Sequence, residues 1–340
     1  MANPSGAPPH VYDVLTRQYT EPLMPGLLPS IPFAPTPTPV EDLTRLRESL
    51  GGGPRLLVKR DDTIGFGFGG NKVRKMRLVA ADALARGADT LITAGGVQSN
   101  HARVTAAAAA KLGLRSILIA NGRAPDRATA NALLDQLLGA EIRYVVDRAD
   151  RTPAMEAAAD EARQLGRTPY IIPIGASTPL GAAAFVDAVM ELRDQIDAPD
   201  VIVHSTSSGG TQAGLIAGCT LAGWNTRVIG ISADESSDTL AGEIRRILDG
   251  MPTLLDVPQD RFASVAIEVD DRFVGTGYGV PTADSTQALE RCARTEALFL
   301  DPTYTAKAMS GLIARYTTGD FSNAATVLFW HTGGQVALFA

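Results

Sequence analysis

The sequence predicts an α/β protein with two domains, each an open, mostly parallel sheet flanked by helices. From Leu56 onward, short and mostly apolar runs alternate with longer helical runs, as expected of βαβ units. Gly87, Gly113, Gly139 and Gly166 stand just past four of the helical runs, where a left-handed residue ends a helix. At 340 residues, the chain is long enough for two hydrophobic cores.

The alternation gives the following order of elements. Residues 1–40 are rich in proline and glycine and predict an extended segment, followed by a short amphipathic helix over 40–50. Strands are predicted over 56–59, 90–94, 116–120, 141–146, 169–174, 201–205, 227–231, 264–269 and 326–330. Helices are predicted over 72–86, 99–112, 126–138, 153–165, 179–195, 211–221, 240–248, 282–296 and 305–317, with a loop over 251–262.

The composition is that of an ordinary soluble globular protein, with 45% hydrophobic and 20% charged residues. A net charge of −6 gives no basic field, so neither a nucleic acid nor a membrane is an expected partner. Cys219 and Cys292 show no metal-ligand spacing and no disulfide framework, which fits a reducing cytoplasm and no metal site. Met1–Pro9 lack the pattern of a signal peptide, and no apolar run is long enough to span a bilayer. We therefore expect a cytoplasmic protein.

A possible covalent site lies in Gly69-Gly70-Asn71-Lys72, between a predicted strand and a predicted helix. A glycine-rich turn lets a ligand approach the backbone, and a helix N-terminus disfavours an ammonium, which lowers the pKa of a lysine. The chain has only five lysines, so the candidates for covalent chemistry are few. Taken alone, this stretch is more typical of a surface lysine after a turn.

The strongest phosphate signal is Ser207-Ser208-Gly209-Gly210-Thr211-Gln212-Ala213-Gly214, between a predicted strand and a predicted helix. Its glycines expose backbone N–H groups, its hydroxyls add donors, and the helix N-terminus favours an anion. It lacks both the Gly-Lys-Ser/Thr ending of a nucleotide P-loop and the glycine spacing of a dinucleotide fold. The stretch therefore predicts a site for one phosphate, and a capped strand-to-helix turn is the alternative.

A second polar cluster, Gln98-Ser99-Asn100-His101, follows a predicted strand and opens a helix. Free N–H groups at a helix N-terminus, together with these side chains, suit a carboxylate. Capping of the helix by Ser99 or Asn100 is the alternative, but it accounts for one polar residue and not for four in a row.

Three further stretches present groups that could face a flat ligand. Thr332 ends an apolar strand and is followed by two glycines, so a ring could approach it closely. Tyr278 lies in a glycine-rich loop over 275–281, and Tyr304 lies in Asp301-Pro302-Thr303-Tyr304. For each tyrosine alone, packing is the alternative role.

Together these stretches resemble one known family. The turn at 69–72, the cluster at 98–101 and the motifs at 209–214, 278–281, 301–304 and 331–334 occur in the order that the family has. The chain is similar, over residues 30–340, to the D-cysteine desulfhydrase and 1-aminocyclopropane-1-carboxylate (ACC) deaminase family of pyridoxal-phosphate enzymes. The resemblance implies fold type II with the cofactor in the interdomain cleft, and a homodimer. It also implies a large cofactor-binding domain of residues 1–78 and 190–340, with residues 79–189 inserted as a small domain.

The resemblance also implies a role for each matching residue. Lys72 would form the Schiff base with pyridoxal 5′-phosphate, and Tyr278 and Tyr304 would complete the catalytic set. Ser99, Asn100 and His101 would bind the substrate carboxylate. The cofactor would be held by Lys72, Asn71, Asn100 (on the phenolic oxygen), Ser208, Gly209, Gly210, Thr211 and Gln212 (around the phosphate) and Thr332 (at the pyridine nitrogen).

Three positions separate the subfamilies of this family and favour D-cysteine desulfhydrase. ACC deaminases have Glu at the position of Thr305, and tend to have Leu at that of Thr332 and Gln at that of His101. A neutral hydroxyl at the pyridine nitrogen leaves that nitrogen largely unprotonated, which suits elimination. We therefore expect elimination of the β-substituent of a small amino acid, D-cysteine or an analogue, to give pyruvate, ammonia and sulfide, with Lys72 as general base.

Other reactions and other classes of protein stay open at this point. Within the family, the alternatives are an L-cysteate sulfo-lyase, an ACC deaminase and a related deaminase or β-replacement enzyme. A nicotinamide-dependent enzyme is disfavoured because the dinucleotide fingerprint is missing. A non-catalytic binding protein is disfavoured because Lys72 is intact.

Overall fold

The structure is a computed structural model that describes residues 28–340. Met1–Pro9, where the sequence shows no signal-peptide pattern, and most of the predicted extended segment over 1–40 lie outside these residues. The strands are β1 (Val40–Asp42), β2 (Arg55–Arg60), β3 (Thr90–Gly96), β4 (Arg115–Asn121), β5 (Glu141–Val145), β6 (Pro169–Ile171), β7 (Val201–Thr206), β8 (Arg227–Ser232), β9 (Glu268–Asp270) and β10 (Thr326–His331).

The helices of the described part are α1 (Thr44–Ser49), α2 (Asn71–Ala85), α3 (Asn100–Leu112), α4 (Ala130–Leu137), α5 (Arg151–Gln164), α6 (Pro179–Arg193), α7 (Gly210–Leu221), α8 (Ser237–Asp249), α9 (Met251–Leu255), α10 (Ala283–Glu296) and α11 (Thr305–Thr317). Among residues 28–340, no helix has both the length and the apolar character needed to cross a membrane.

The larger sheet has six strands in the order β1-β2-β10-β7-β8-β9. All neighbours are parallel except β1, which pairs antiparallel with β2 at one edge. The β2–β10 register sets His331 beside Arg60. The first and last strands of the predicted alternation are therefore neighbours, and the turns that follow them lie at the same edge of the sheet.

The smaller sheet has four parallel strands in the order β5-β4-β3-β6. Its central strand β3 is buried along nearly its whole length, as expected of a parallel strand that is covered by helices on both faces. With this sheet and the larger one, the predicted fold class is confirmed. The domain boundaries given above stay a prediction.

The core of the larger sheet includes helices α6 and α7, which pack tightly against each other. A Cβ built on Gly218 of α7 would lie only 2.7 Å from the Cβ of Val189 in α6, so glycine permits the close approach. The same cluster contains Phe185 and Trp330, whose rings meet edge to face at 5.9 Å. This packing fixes α7, whose N-terminus carries the predicted phosphate loop.

Three predicted elements are wrong in detail. Residues 40–50 form the short edge strand β1 followed by α1, because Val40–Asp42 pair with the free edge of β2. Residues 251–255, predicted as loop, form α9, in which Pro252 stands in the first turn, where its missing N–H is harmless. The strand predicted over 264–269 is limited to Glu268–Asp270, the residues that pair with β8.

A buried group of charged residues joins β2, β10, α2 and α6 behind the Lys72 turn. The Asp61 carboxylate accepts hydrogen bonds from Arg74 (Nε at 2.9 Å and Nη2 at 2.8 Å) and from the indole nitrogen of Trp330 at 2.8 Å. Arg74 also donates to Glu191 of α6, as does Lys59. Because Asp61 and Arg74 are buried, the loss of either partner would leave an uncompensated charge in the core.

We expect Asp61→Ala to lower the free energy of unfolding by about 3–5 kcal/mol, because it removes one of the two carboxylates that pair the buried Arg74 guanidinium and leaves the Trp330 indole N–H without its acceptor. Asp42→Ala is the control, since its ion pair with Arg55 is exposed to solvent and should be worth less than about 1 kcal/mol. Urea unfolding of the cofactor-free variants measures both. Equal losses would contradict a central role for Asp61.

Candidate active site

The Lys72 turn and the Thr332 turn touch backbone to backbone. The N–H of Asn71 donates to the carbonyl of Thr332 at 3.0 Å, and a Cβ built on Gly70 would lie 2.8 Å from that same oxygen. Gly70 has a φ of 98° and Gly333 a φ of 83°, conformations that glycine adopts without strain. Only glycines allow this contact, which brings the first and last sequence motifs together.

Lys72 stands in the first turn of α2 and lines a cavity of about 250 Å³. Its Nζ lies 3.5 Å from the carbonyl oxygen of Gly175. Burial lowers the pKa of Lys72 to about 8, because the surrounding atoms replace the water that would solvate an ammonium. About a tenth of the side chain is therefore the neutral amine at pH 7, far more than in a free lysine, and this is the form that attacks a carbonyl.

The predicted phosphate loop forms a left-handed turn between β7 and α7. Gly209 has a φ of 74° and is the N-cap residue of α7. Ser208 and Thr211 line the cavity, and the Thr211 hydroxyl accepts a hydrogen bond from Asn71 Nδ2 at 3.0 Å. Since the first-turn N–H groups of a helix have no partner within the helix, this end of α7 can receive an anion.

Two residues behind this loop escaped the sequence analysis. Lys75 is buried, and its ammonium donates to the carbonyl of Gly175 at 3.0 Å and to the Ser177 hydroxyl at 3.4 Å. Ser177 in turn contacts the Ser208 hydroxyl at 2.7 Å. Burial and the charge of Lys72 lower the pKa of Lys75 well below its usual range, and a phosphate nearby would favour its charged form. Its position three residues after Lys72, on the same helix face, was the available signal.

The Asn100 side chain is oriented by two residues from outside its motif. Its Oδ1 accepts from Arg103 Nη1 and from Asn131 Nδ2, each at 3.0 Å. The acceptor end of the amide is therefore occupied, and Nδ2 is the end that can donate to a ligand oxygen such as a phenolate. Asn131 lies in another helix and has no local motif, so sequence reasoning could not find it.

His101 is a neutral imidazole whose remaining ring nitrogen, Nδ1, can only accept a hydrogen bond. Its side chain therefore cannot donate a hydrogen bond to a carboxylate. The Thr93 hydroxyl donates to the carbonyl of Ile172 at 2.8 Å, so it must accept from His101 Nε2, also at 2.8 Å. Nδ1 then has a lone pair, with no partner in the described part of the chain. Burial, followed by the charges of Lys72 and Lys75, lowers the pKa of His101 well below its usual range. A carboxylate bound at this position would therefore be contacted by the first-turn N–H groups and the Ser99 hydroxyl, and not by the imidazole.

Thr332 presents a hydroxyl, and Thr305 presents nothing, to the cavity. The Thr332 hydroxyl lies 3.0 Å from that of Ser205, and both residues line the cavity. Thr305 is fully buried, and its hydroxyl donates to Asp301 at 2.7 Å. Thr332 and Ser205 are thus two of the hydroxyl groups that line the cavity on the β7–β10 side.

The two tyrosines form a hydrogen-bonded pair on the cavity wall. Their hydroxyl oxygens are 2.5 Å apart, and their rings meet edge to face at 5.7 Å. Burial raises the pKa of Tyr278 and raises that of Tyr304 well above its usual range, so both stay protonated at neutral pH. The guanidinium of Arg148, which no motif predicts, lies 4.9 Å from the Tyr278 ring centre.

The cavity brings together all but two of the predicted site residues. It is lined by Asn71, Lys72, Ser99, Asn100, His101, Ser208, Gly209, Thr211, Tyr278, Tyr304 and Thr332. Gly210 lies behind the lining, where a Cβ would come within 2.7 Å of Lys75 Nζ. Gln212 also lies outside the lining: its Nε2 donates to the carbonyl of Glu268 at 2.7 Å, so its side chain is directed toward β9, and only its first-turn backbone N–H remains as a predicted phosphate contact. The helical turn between Gly209 and Gln212 rotates this side chain away.

The donors of the cavity fit a phosphorylated aromatic aldehyde. A partly neutral lysine can bind the aldehyde carbon, an amide N–H of Asn100 can meet a ring oxygen, and the α7 terminus with Lys75 can receive one phosphate. Between these groups, glycines leave the space that a flat ring requires. The fold and the site define an α/β enzyme that holds such a cofactor at the carboxyl ends of its parallel strands.

Comparison with known proteins identifies the family. The sequence profile described as "Pyridoxal-phosphate dependent enzyme" matches residues 31–333. The chain belongs to this family, and its cofactor is pyridoxal 5′-phosphate, as the sequence predicted.

Two relatives that align with most of this chain carry the same name. A relative from Burkholderia ambifaria, named 1-aminocyclopropane-1-carboxylate deaminase, is 39% identical over 319 residues, which cover 89% of this chain and 94% of the relative. A relative of the same name from Burkholderia lata is 39% identical over 327 residues, covering 92% and 96%. A crystal structure described as that of the ACC deaminase homologue has a TM-score of 0.85 at 35% identity, covering 92% of this chain and 94% of that one. The predicted resemblance and fold type are thereby confirmed.

We expect the amine of Lys72 in the cofactor-free protein to reach half of its maximal rate of acetylation by acetic anhydride at about pH 8. The reason is that the neutral amine is the nucleophile and its fraction rises as the pH rises through the pKa. The control is the side-chain amine of free lysine whose α-amino and carboxyl groups are blocked, which has a pKa of about 10.4. Mass spectrometry of the modified peptide measures the profile, and a midpoint equal to the control would contradict the effect of burial.

We expect Gly210→Ala to weaken the binding of pyridoxal phosphate about ten- to hundredfold, because the new methyl group would come within 2.7 Å of Lys75 Nζ and 2.8 Å of Ser177 Oγ and displace both from the phosphate end of α7. Gly242→Ala is the matched control, since a Cβ there meets nothing within 4 Å and should leave the Kd unchanged. Titration of the cofactor-free protein, followed by absorbance, measures both. An unchanged Kd in Gly210→Ala would contradict the role of Lys75.

Proposed function

We propose that the chain is a deaminating lyase that converts a small amino acid to a 2-oxo acid and ammonia, with ACC as the first candidate substrate. The observation that carries this proposal is the meeting of Lys72 and the Tyr278–Tyr304 pair in one cavity. A base and a protonated acid on the same small cavity are what deamination of an amino acid requires. The deaminase name shared by the relatives supports ACC over D-cysteine.

The residues of the chain supply binding and proton transfer. Pyridoxal phosphate, when bound, supplies a ring that withdraws electrons from the α-carbon of the substrate. The α3 N-terminus and the Ser99 hydroxyl bind the substrate carboxylate. The amine of Lys72 takes or returns a proton at carbon, which its pKa of about 8 permits. The tyrosine pair keeps its protons at neutral pH and donates one to the part of the substrate that leaves or opens.

D-cysteine is the second candidate, and a specific observation favours it. Thr305 is sealed in the core by its hydrogen bond to Asp301, so no carboxylate reaches the cavity from this position. Thr332 instead offers a hydroxyl. A ring nitrogen that meets only a hydroxyl makes a weaker electron sink, which suits the loss of a β-substituent more than the opening of a carbon ring.

A panel of ACC, D-cysteine, L-cysteate and β-chloro-D-alanine distinguishes the candidates. ACC would yield 2-oxobutyrate, whereas the other substrates would yield pyruvate. Turnover of ACC supports the first candidate, and pyruvate from D-cysteine without 2-oxobutyrate from ACC supports the second. No 2-oxo acid from any of them, with the cofactor loaded, would contradict the proposal. The proposal also includes the cytoplasmic location and the homodimer expected from the sequence.

We expect Tyr304→Phe and Tyr278→Phe each to lower kcat on the active substrate by about 100-fold or more, because each removes a member of the proton-donating pair. Tyr170→Phe is the control, since its hydroxyl bonds Asp82 at a distance from the cavity. Cofactor absorbance shows that the site is intact in all three. Unchanged kcat in both cavity variants would leave Lys72 as the sole acid–base group.

A further inference from the structure

Lys307 holds a buried ammonium among backbone carbonyls, outside the cavity. The side chain is fully buried, and its Nζ donates to the carbonyl oxygens of Gly277 at 2.9 Å, Val274 at 2.8 Å and Ala233 at 3.1 Å. Within residues 28–340, no carboxylate lies at ion-pair distance from it, and the charges of Asp234 and Asp301 act only from farther away. Carbonyl dipoles therefore supply the direct compensation for this charge.

Packing alone does not account for a lysine at this position. Burial of an ammonium without a paired carboxylate is unfavourable, and an apolar side chain of similar length would fill the same space without that cost. Lys307 also stands in the first turn of α11, where the helix dipole disfavours a cation. The hydrogen bonds of the ammonium must therefore compensate for both its burial and the unfavourable helix dipole.

Those contacts tie the Tyr278 loop, residues 271–282, to the rest of the protein. The loop has few backbone hydrogen bonds of its own. The N–H groups of Val274 and Val280 donate to carbonyls within the loop at 3.3 and 3.4 Å. Gly275, Gly277 and Gly279 all have positive φ, so the backbone there is intrinsically free. The bonds from Lys307 to the loop are shorter, and one of them ends on the residue before Tyr278.

Lys307 also belongs to the segment that presents Tyr304, three residues earlier. One ammonium therefore joins the loop that carries Tyr278, the helix that follows Tyr304 and the segment after β8. The 2.5 Å contact between the two hydroxyls requires the two segments to keep a fixed separation. Three carbonyl oxygens around a compact cation at these distances resemble the way backbone carbonyls hold potassium or ammonium ions.

We propose that Lys307 is a positioning residue that acts as a tethered monovalent cation, holding the Tyr278 loop against Tyr304. The effect on turnover rests on the proposed function, because it requires the tyrosine pair to act on the substrate. The anchoring of the loop does not rest on it and is measured without turnover. The proposal concerns no ligand of the cavity itself, since Lys307 lies outside its lining.

Two substitutions separate the charge of Lys307 from its volume. Lys307→Ala leaves a space beside the three carbonyls that a potassium or ammonium ion can enter, whereas Lys307→Met fills that space with an uncharged chain. Lys111→Ala, at an exposed lysine, is the control. Each full-length holoenzyme is compared in potassium, ammonium and tetramethylammonium chloride at equal ionic strength, because tetramethylammonium is too large for the space.

The first readout is amide hydrogen exchange over residues 271–282, which needs no substrate. Exchange should rise in Lys307→Ala and Lys307→Met, and potassium or ammonium should reverse the rise in Lys307→Ala alone. The second readout is kcat, which should fall on the order of 100-fold with little change in KM, since the tyrosine pair is displaced. It should recover with the same salts and the same variant. Wild type and Lys111→Ala should show no cation dependence.

Several outcomes would overturn the proposal. These are unchanged loop exchange in both Lys307 variants, recovery of Lys307→Ala that is equal in tetramethylammonium, and no recovery in any salt. If Lys307→Ala folds only in the presence of potassium or ammonium, that result supports the proposal. If its folding yield is equal in all salts and hydrogen exchange over residues 271–282 is unchanged, the result opposes it. If it folds in no salt, unchanged loop exchange in Lys307→Met decides against the proposal. Failure of wild type on the substrate panel bears only on the proposed function.

Discussion

The hydrogen bonds of Asp61 are the interaction on which the site depends. Its carboxylate binds Arg74 of α2 and the indole of Trp330 in β10, while its carbonyl accepts from Gly70 N at 2.8 Å. One residue thus fixes the turn before Lys72 through both backbone and side chain, and fixes the strand that immediately precedes Thr332. Since the carboxylate is fully buried, each of these bonds is made in a medium where an unpaired partner would be costly. The lysine and the hydroxyl opposite it therefore keep their relative positions.

Around this fixed pair, the site is assembled from the carboxyl ends of parallel strands in two sheets. The ends of β7 and β10 bring Ser205 and Thr332 from the larger sheet, and the end of β3 brings Ser99 from the smaller one. Helices α7 and α3 both begin at this edge, so the first-turn N–H groups of two helices lie at one cavity. One can receive a phosphate and the other a carboxylate, which allows the cofactor and the substrate to be oriented by the backbone.

Exclusion of water gives the side chains their chemical characters. Burial lowers the pKa of Lys72 to about 8 and raises those of the two tyrosines, so a base and a proton donor coexist at neutral pH. In the same low dielectric, the buried lysines outside the cavity lining need nearby polar groups to compensate their charge. Lys75 is compensated by Gly175, Ser177 and the phosphate position, and Lys307 by three carbonyls. Most of the few lysines therefore lie in the interior, where they form specific contacts, and not on the surface, where they would only be solvated.

The sequence by itself determined the alternation of strands and helices and, through the resemblance of its motifs to one family, the cofactor and about half of the residues that line the cavity. It could do so because glycine turns, helix N-termini and apolar strands are local patterns whose physics lies within a few residues. Only the tertiary structure decided what depends on distant partners. The amide of Asn100 is oriented by Asn131, the tautomer of His101 is set by Thr93, and the side chain of Gln212 is directed away from the cavity toward Glu268. No spacing records such contacts, because they arise from packing between elements far apart in the chain.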